Sequence, residues 1–345
     1  MSTDKVTSLQ VARLAGVSQS AVSRVFTPGA SVSKQTVEKV KKAALELDYR
    51  PNVLARAMVS GKSRIIGLVV AYLDNQFYPD ALEKLSNALQ DRGYHVLIFM
   101  TSNSAASIDS VVDEILDYQV DGIIAASVAL SSTLAKRCEA AGVPVVLFNR
   151  SQDDNDLPFV TSDNYSGGKK TADFLIAGGH EKIAYIAGWE GASTQRDREA
   201  GFTDRLKQSG LELHKRGVGN FSAEIASKAC RDMFEGTKED WPDAIFVAND
   251  HMAFAVLDTV RFELGLSVPE DVSIVGYDDV PVASWPAYSL TTVRQPANRM
   301  VSETVGILME AIDTSNVTPK RIKIDGPLIA RKTARIPNGW QNETQ

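Results

Sequence analysis

TSLQVARLAGVSQSAVSRVF, residues Thr7–Phe26, is the stretch on which the reading of this chain turns. Thr7 can cap a helix carrying apolar Leu9, Val11, Ala12 and Leu14; Gly16 ends it, and Ser18 can cap a second helix running through Val25. The spacing Ala12, Gly16, Val22 suits two short helices crossing steeply. It gives a small residue where they touch, one tolerant of positive φ in the turn, and a β-branched residue locking the second helix. That is helix-turn-helix grammar. After a loop marked by Pro28-Gly29, Ser33 starts a third helix with Val37, Val40, Ala44 and Leu47 on one face. The second helix exposes Gln19, Ser20, Ser23 and Arg24, side chains able to bond base edges or phosphates in a major groove. A small helical bundle with a solvated face has the same spacing, and charge separates the two readings.

The 345 residues carry a formal charge of −6, unevenly spread. Residues 1–62 hold ten Lys/Arg against four Asp/Glu, leaving 27 against 39 in the remainder. A small basic module is therefore joined to a large acidic body that repels polyanions. Cys138 and Cys230 lie in amphipathic helical patterns without ligand spacing, and are expected as buried free thiols of a reducing compartment. The N-terminus lacks a secretory signal, and no run of about 18 apolar residues offers a membrane span. A soluble, cytoplasmic protein with no membrane partner is expected.

From residue 64 onward short β-branched runs alternate with helical patterns. IIGLVVAY, HVLIFM, DGIIAAS, VPVVLFN, KIAYIAG, AIFVAN and VSIVGYDD read as parallel strands, apolar on both faces and covered by helices. Two doubly wound sheets fit the count, so the fold class is α/β with an all-α N-terminal module. Leu290–Val293, helix 297–312 and RIKI read as a return to the first half. Ligands of such sheets bind beyond the strands' carboxyl ends. There stand Asp74–Tyr78, Asn149 and Arg150, Arg196 and Arg198, Asn249-Asp250, Tyr277-Asp278-Asp279 and Gln295. Amide, carboxylate and guanidinium groups with a few aromatics suit a polyhydroxylated ligand, and the arginines admit a sugar acid or phosphate. Asp250 and Asp279 are expected to serve loop hydrogen bonding.

An enzyme would need a nucleophile with its base, a metal set or a cofactor loop. The four histidines (His95, His180, His214, His251) are scattered, and neither GxGxxG nor GxxxxGK[ST] follows a strand, so no cofactor or metal is expected. Residues 51–62 open with Pro51 and close near Gly61. Asn52–Val59 makes barely two helical turns, marginal alone, and by composition is a plain linker.

VTSLQVARLAGVSQSAVSRVF, VSKQTVEKV and LDYRPNVLARAMVSGKS together resemble the LacI/GalR family of bacterial transcriptional regulators, and the likeness continues almost to the end of the chain. The resemblance implies a helix-turn-helix DNA-binding domain at 1–50 and a hinge helix at 51–62. An effector-binding and dimerisation domain at 63–340, similar to a periplasmic sugar-binding protein, follows. Its N-subdomain spans about 63–162 plus 294–322, its C-subdomain about 163–293 plus 323–340. It places Gln19 and Ser20 at specificity-setting positions with Arg24 facing the groove; Ser23, Thr7, Ser18 and Ser33 complete the DNA-binding candidates of that domain. In the hinge, Met58 stands where a leucine is usual and would wedge into the minor groove beside Ala55 and Asn52. Arg198, Asn249 and Asp278 map onto effector-contacting positions, with Asn149, Phe221, Phe77 and Gln295 as companions. Asn149 replaces a common aspartate, which implies a ligand that donates less there or carries negative charge. Expected partners are a palindromic operator, a second copy of the chain and one small effector, a sugar or sugar acid. A purine- or other metabolite-responsive corepressor-type regulator and a sugar-binding protein without DNA remain the alternatives.

Overall fold

Thr7 and Gln10 start the first helix reciprocally: the Gln10 backbone N–H donates to the Thr7 hydroxyl, and the Thr7 N–H donates to Gln10 Oε1 at 2.7 Å. This capping box satisfies donors that a helix start leaves bare. Helix α1 (Ser8–Ala15) ends at Gly16, whose φ of 65° turns the chain into α2 (Gln19–Val25), capped by Ser18. Ser33 caps α3 (Lys34–Glu46). Val11, Ala12, Ala15, Val22, Val40, Ala43 and Ala44 form one small core, with the Phe26 and Tyr49 rings 6.0 Å apart beside it. The expected apolar face of α1 is corrected in part. Leu9 and Leu14 are 45% and 48% exposed, because the helix turns its small residues inward to let three helices approach.

The computed structural model describes residues 6–27, 30–50, 62–101, 105–128, 130–152, 156–314 and 319–342. Residues 51–61 of the expected hinge, with Asn52, Ala55 and Met58, lie outside the described residues. The described residues up to Arg64, with 119–121, form one compact unit and the other described residues a second.

The second unit holds two six-stranded sheets. The first runs β11 (Arg321–Ile324), β5 (Phe159–Ser162), β4 (Val145–Phe148), β3 (Gly122–Ala126), β1 (Ile65–Val70), β2 (His95–Met100), all parallel. The second runs β12 (Leu328–Ile329), β10 (Thr291–Arg294), β9 (Ser273–Asp278), β8 (Ala244–Val247), β6 (Ile183–Ala187), β7 (Lys215–Val218), with only β12 antiparallel among its described strands. The crossovers include α4 (Phe77–Gln90), α5 (Ala105–Asp117), α6 (Ser132–Ala140), α7 (Asn164–Ala177), α8 (Ser193–Gln208), α9 (Ala223–Met233) and α10 (Asp250–Asp258).

Inner strands β3, β4, β6, β8 and β9 are buried throughout, as two-sided apolar runs require. HVLIFM departs from that expectation. As the edge strand β2 it leaves Ile98 and Met100 about half exposed. Three strands carried too little apolar signal to read: β5 (FVTS), the polar edge β7 (KRGV) and the two-residue β12. Leu290–Val293 is a correction as well. Its strand β10 pairs with β9, so it stays with the second sheet. The return to the first sheet begins only with α11 (Ala297–Thr314), which buries Met300, Val301, Val305 and Leu308 and packs on β3, β4 and β5. In each sheet strand order reverses beside the first strand, between β1 and β3 and between β6 and β8, and the crevice opens at their carboxyl ends. Among the described residues no helix is long and apolar enough to cross a membrane.

Candidate functional site

The strand ends of the two sheets meet. Asn75, in the loop after β1, donates to Asp278 Oδ2 at the end of β9 at 2.8 Å, and Ser162 at the end of β5 lies 3.1 Å from the Tyr277 hydroxyl. Gln295, after β10, donates to the other Asp278 oxygen at 2.6 Å. Asp278 adopts φ 135°, and Ser127, Asn149 and Phe221, which directly follow β3 and β4 or stand shortly after β7, also have positive φ. Such backbone is costly for non-glycine residues and is held only where surrounding structure over-determines it.

Arg198, 3% exposed on α8, is anchored on every side. Its Nε and Nη2 donate to Asn164 Oδ1 at 3.2 and 2.6 Å, Nη1 donates to the Ala248 carbonyl, and its guanidinium carbon sits 3.4 Å from the Tyr277 ring centre. Burial pushes the Asp278 carboxyl above the usual carboxylate range, with Arg198 opposing the shift. Burial, and then the Asp278 charge, raises Asp250 as well. Asp250 accepts from Thr292 at 2.6 Å and from the Val280 N–H at 3.0 Å, while Asp279 is gripped by Arg294 and Arg331, each at 2.6 Å. Both serve loop bonding, as expected of them.

An aromatic wall stands on the other side. Tyr72 stacks on Phe221, centroids 6.2 Å apart, and meets Tyr78 edge-on at 5.2 Å; the Asn149 amide donates to the Tyr78 hydroxyl at 3.2 Å. Phe77 departs from its expected role. Its ring packs against Phe148 inside the first core, and the neighbouring Tyr78 makes the contact with Asn149. Successive helical residues point about 100° apart, so only one of the pair can face the strand ends. Arg196 is exposed on α8, away from buried Arg198. Asn75 and Tyr78 belong to the stretch singled out after the first strand, whereas Tyr72, Ser127 and Asn164 had only their position, one or two residues beyond a strand, to signal them.

Eight buried side-chain atoms among the described residues lack a hydrogen-bond partner, and four belong here: Asn149 Oδ1, Arg150 Nε, Asn249 Nδ2 and Gln295 Oε1. Asn249 uses its oxygen to cap α10. Unpaired buried polar atoms are expensive, so their gathering at strand ends marks where a ligand's own donors and acceptors would fit.

In the first unit, Gln19, Ser20, Ser23 and Arg24 form an exposed stripe on α2 opposite buried Val22. Gln19 Nε2 donates to the Ser8 hydroxyl at 2.9 Å and the Ser20 hydroxyl lies 2.9 Å from that of Ser18, which fixes how the two side chains leave the helix. Thr7, Ser18 and Ser33 cap α1, α2 and α3.

Residues 9–52 match the bacterial regulatory proteins of the lacI family, and residues 172–334 match a periplasmic binding protein-like domain. The chain is 32% identical to the HTH-type transcriptional regulator CelR of Thermobifida fusca over 332 residues, covering 94% of this chain and 96% of that protein. The chain belongs to the LacI family. This LacI-family regulator is also 29% identical to the HTH-type transcriptional repressor PurR of Vibrio vulnificus, over 95% of this chain and 98% of that one. Its fold matches the lac repressor dimer bound to operator and the anti-inducer ONPF, with TM-score 0.85, 29% identity, and 96% and 99% of the two chains covered. A transcriptional regulator CelR–cellobiose complex matches with TM-score 0.72 and 30% identity, over 96% of this chain and 100% of that one. Fold and family together make it a DNA-binding transcriptional regulator with an effector-binding domain.

Proposed function

We propose that the chain represses transcription as a homodimer on a palindromic operator and that a small polyhydroxylated effector, a sugar or sugar acid, controls its affinity from the cleft between the two sheets. No catalytic step is assigned to it. The gathering of four unpaired buried polar atoms beside an aromatic wall carries the reading: amide, guanidinium and carboxylate groups bond vicinal hydroxyls while rings cover C–H faces. The cellobiose and ONPF complexes of relatives agree with it. Arg198, Asp278, Asn149, Asn249, Gln295 and Phe221 are the proposed effector residues, Phe77 acting through Tyr78.

Base reading belongs to Gln19, Ser20, Ser23 and Arg24, with Asn52, Ala55 and Met58 of the hinge segment added from the family resemblance. The functional blocks are 1–50, 51–62 and 63–340, the last divided as about 63–162 plus 294–322 and 163–293 plus 323–340. A purine-class metabolite is the second reading, favoured by the three rings Tyr72, Tyr78 and Phe221. Selection of bound duplexes from a random pool, followed by retardation of the selected palindrome with and without a metabolite panel, tests the whole. A chain that selects no sequence, or whose operator affinity no sugar alters, contradicts it.

A further inference from the structure

Arg150 is the charge the cleft leaves unanswered. It follows β4, is 2% exposed, and its guanidinium is held by the Ser127 carbonyl and hydroxyl at 2.9 and 3.0 Å. Among the described residues no carboxylate pairs with it, and its Nε has no partner. The other buried arginine, Arg198, has Asp278 to balance it. A buried cation without a counter-charge is a large cost to fold stability, which a ligand bringing that charge removes.

What Arg150 reaches toward is a helix start. Its Nη1 lies 3.4 Å from the Thr194 hydroxyl in the first turn of α8, and the Ser193 hydroxyl accepts from the Ser151 N–H at 2.9 Å. Ala192, at the N-cap of this 16-residue helix, supplies no side-chain cap. The first-turn N–H groups that a helix start leaves without intrahelical partners, and the positive end of the helix dipole, therefore stand beside the Arg150 guanidinium, and both favour negative charge. Asn149 next door adds amide polarity without adding a carboxylate that would repel an anion.

We propose that the effector carries an anionic group, a carboxylate or phosphate, seated between the Arg150 guanidinium and the N-terminus of α8. The inference rests on the effector reading of the cleft and narrows it to acidic sugars. Calorimetric titration of the full chain with matched probes tests it: glucose, gluconate, glucuronate and glucose 6-phosphate; galactose and galacturonate; ribose and ribose 5-phosphate. One acid is expected to bind at least tenfold more tightly than its neutral parent, and the acids and phosphates tell the two anions apart. Arg150→Gln is expected to erase that difference while unliganded melting stays intact or improves, whereas Arg150→Lys retains part of it. A neutral sugar binding as tightly as its acid, or an unchanged preference in Arg150→Gln, overturns the anion while leaving the effector cleft standing. Silence from every acid overturns the inference, and a response to a non-sugar metabolite alone overturns the sugar reading with it.

Discussion

Single residues divide here into those that hold backbone and those that present chemistry, and substitution separates them. Thr7 takes part in a reciprocal cap, so Thr7→Ala is expected to cost about 1 kcal/mol of the small unit's stability, measured by chemical denaturation. Gln19 and Ser20 stand on the exposed stripe instead. Their joint replacement is expected to change the preferred half-site by about 1–3 kcal/mol per altered base contact, and a selected pool with unchanged ranking would reject the assignment. Asp278 offers a pH test. Its folded-state carboxyl titrates above the ordinary aspartate value of about 4, because burial disfavours its charge. Above that pH the unfolded chain has already released the proton that the native state still holds, so stability falls as pH rises through the interval. Melting temperatures of Asp278→Asn relative to the parent protein should accordingly rise between pH 4.5 and 7; a flat difference contradicts the shift.

At the scale of elements, α7 and α8 pack against each other through glycines. A Cβ added at Gly201 of α8 would meet the Tyr165 carbonyl oxygen of α7 at 2.0 Å, and one at Gly168 would meet the Arg198 carbonyl oxygen at 2.1 Å. Both obstacles are backbone, which cannot rotate aside. Gly201→Ala is therefore expected to cost about 1–3 kcal/mol by overpacking, and to weaken effector binding as well, since the same helix carries Arg198 and begins beside Arg150. Denaturant melts and ligand titration read the two effects separately. Loss of stability with unaltered ligand affinity would show that α8 relaxes without moving its first turns.

Across the whole molecule, effector control requires that the cleft and the DNA-reading helix be separable by mutation. Asn75–Asp278, Ser162–Tyr277 and Arg150–Thr194 link the two sheets directly. A ligand that changes these contacts shifts the equilibrium between cleft states by its differential affinity for them. Arg198→Ala and Asp278→Asn are expected to keep the helix-turn-helix unit folded and to lose the effector response in a retardation assay. For an inducer, operator binding persists with ligand added; for a corepressor, tight binding is lost. An effector titrating both variants with unaltered affinity would remove these residues from the site.

Local pattern was enough for the elements that pattern governs. Thr7, Ser18 and Ser33 as caps, Gly16 as the turn, and the two-sided apolar strands were legible because capping, φ preference and burial act within a few residues. Charge partition and motif spacing likewise identified a DNA-reading module on an acidic body. The sequence could not show which strand sat at an edge, hence exposed β2, nor which sheet received Thr291–Arg294, because pairing partners lie far apart along the chain. It placed Phe77 in the cleft where Tyr78 stands, a difference of one helical step. The tertiary structure alone decided that, among the described residues, Arg150 has no carboxylate partner while Arg198 contacts Asn164, Ala248 and Tyr277. Both are buried arginines at strand or helix ends, and their chemistry diverges only through neighbours that long-range folding brings within hydrogen-bond reach.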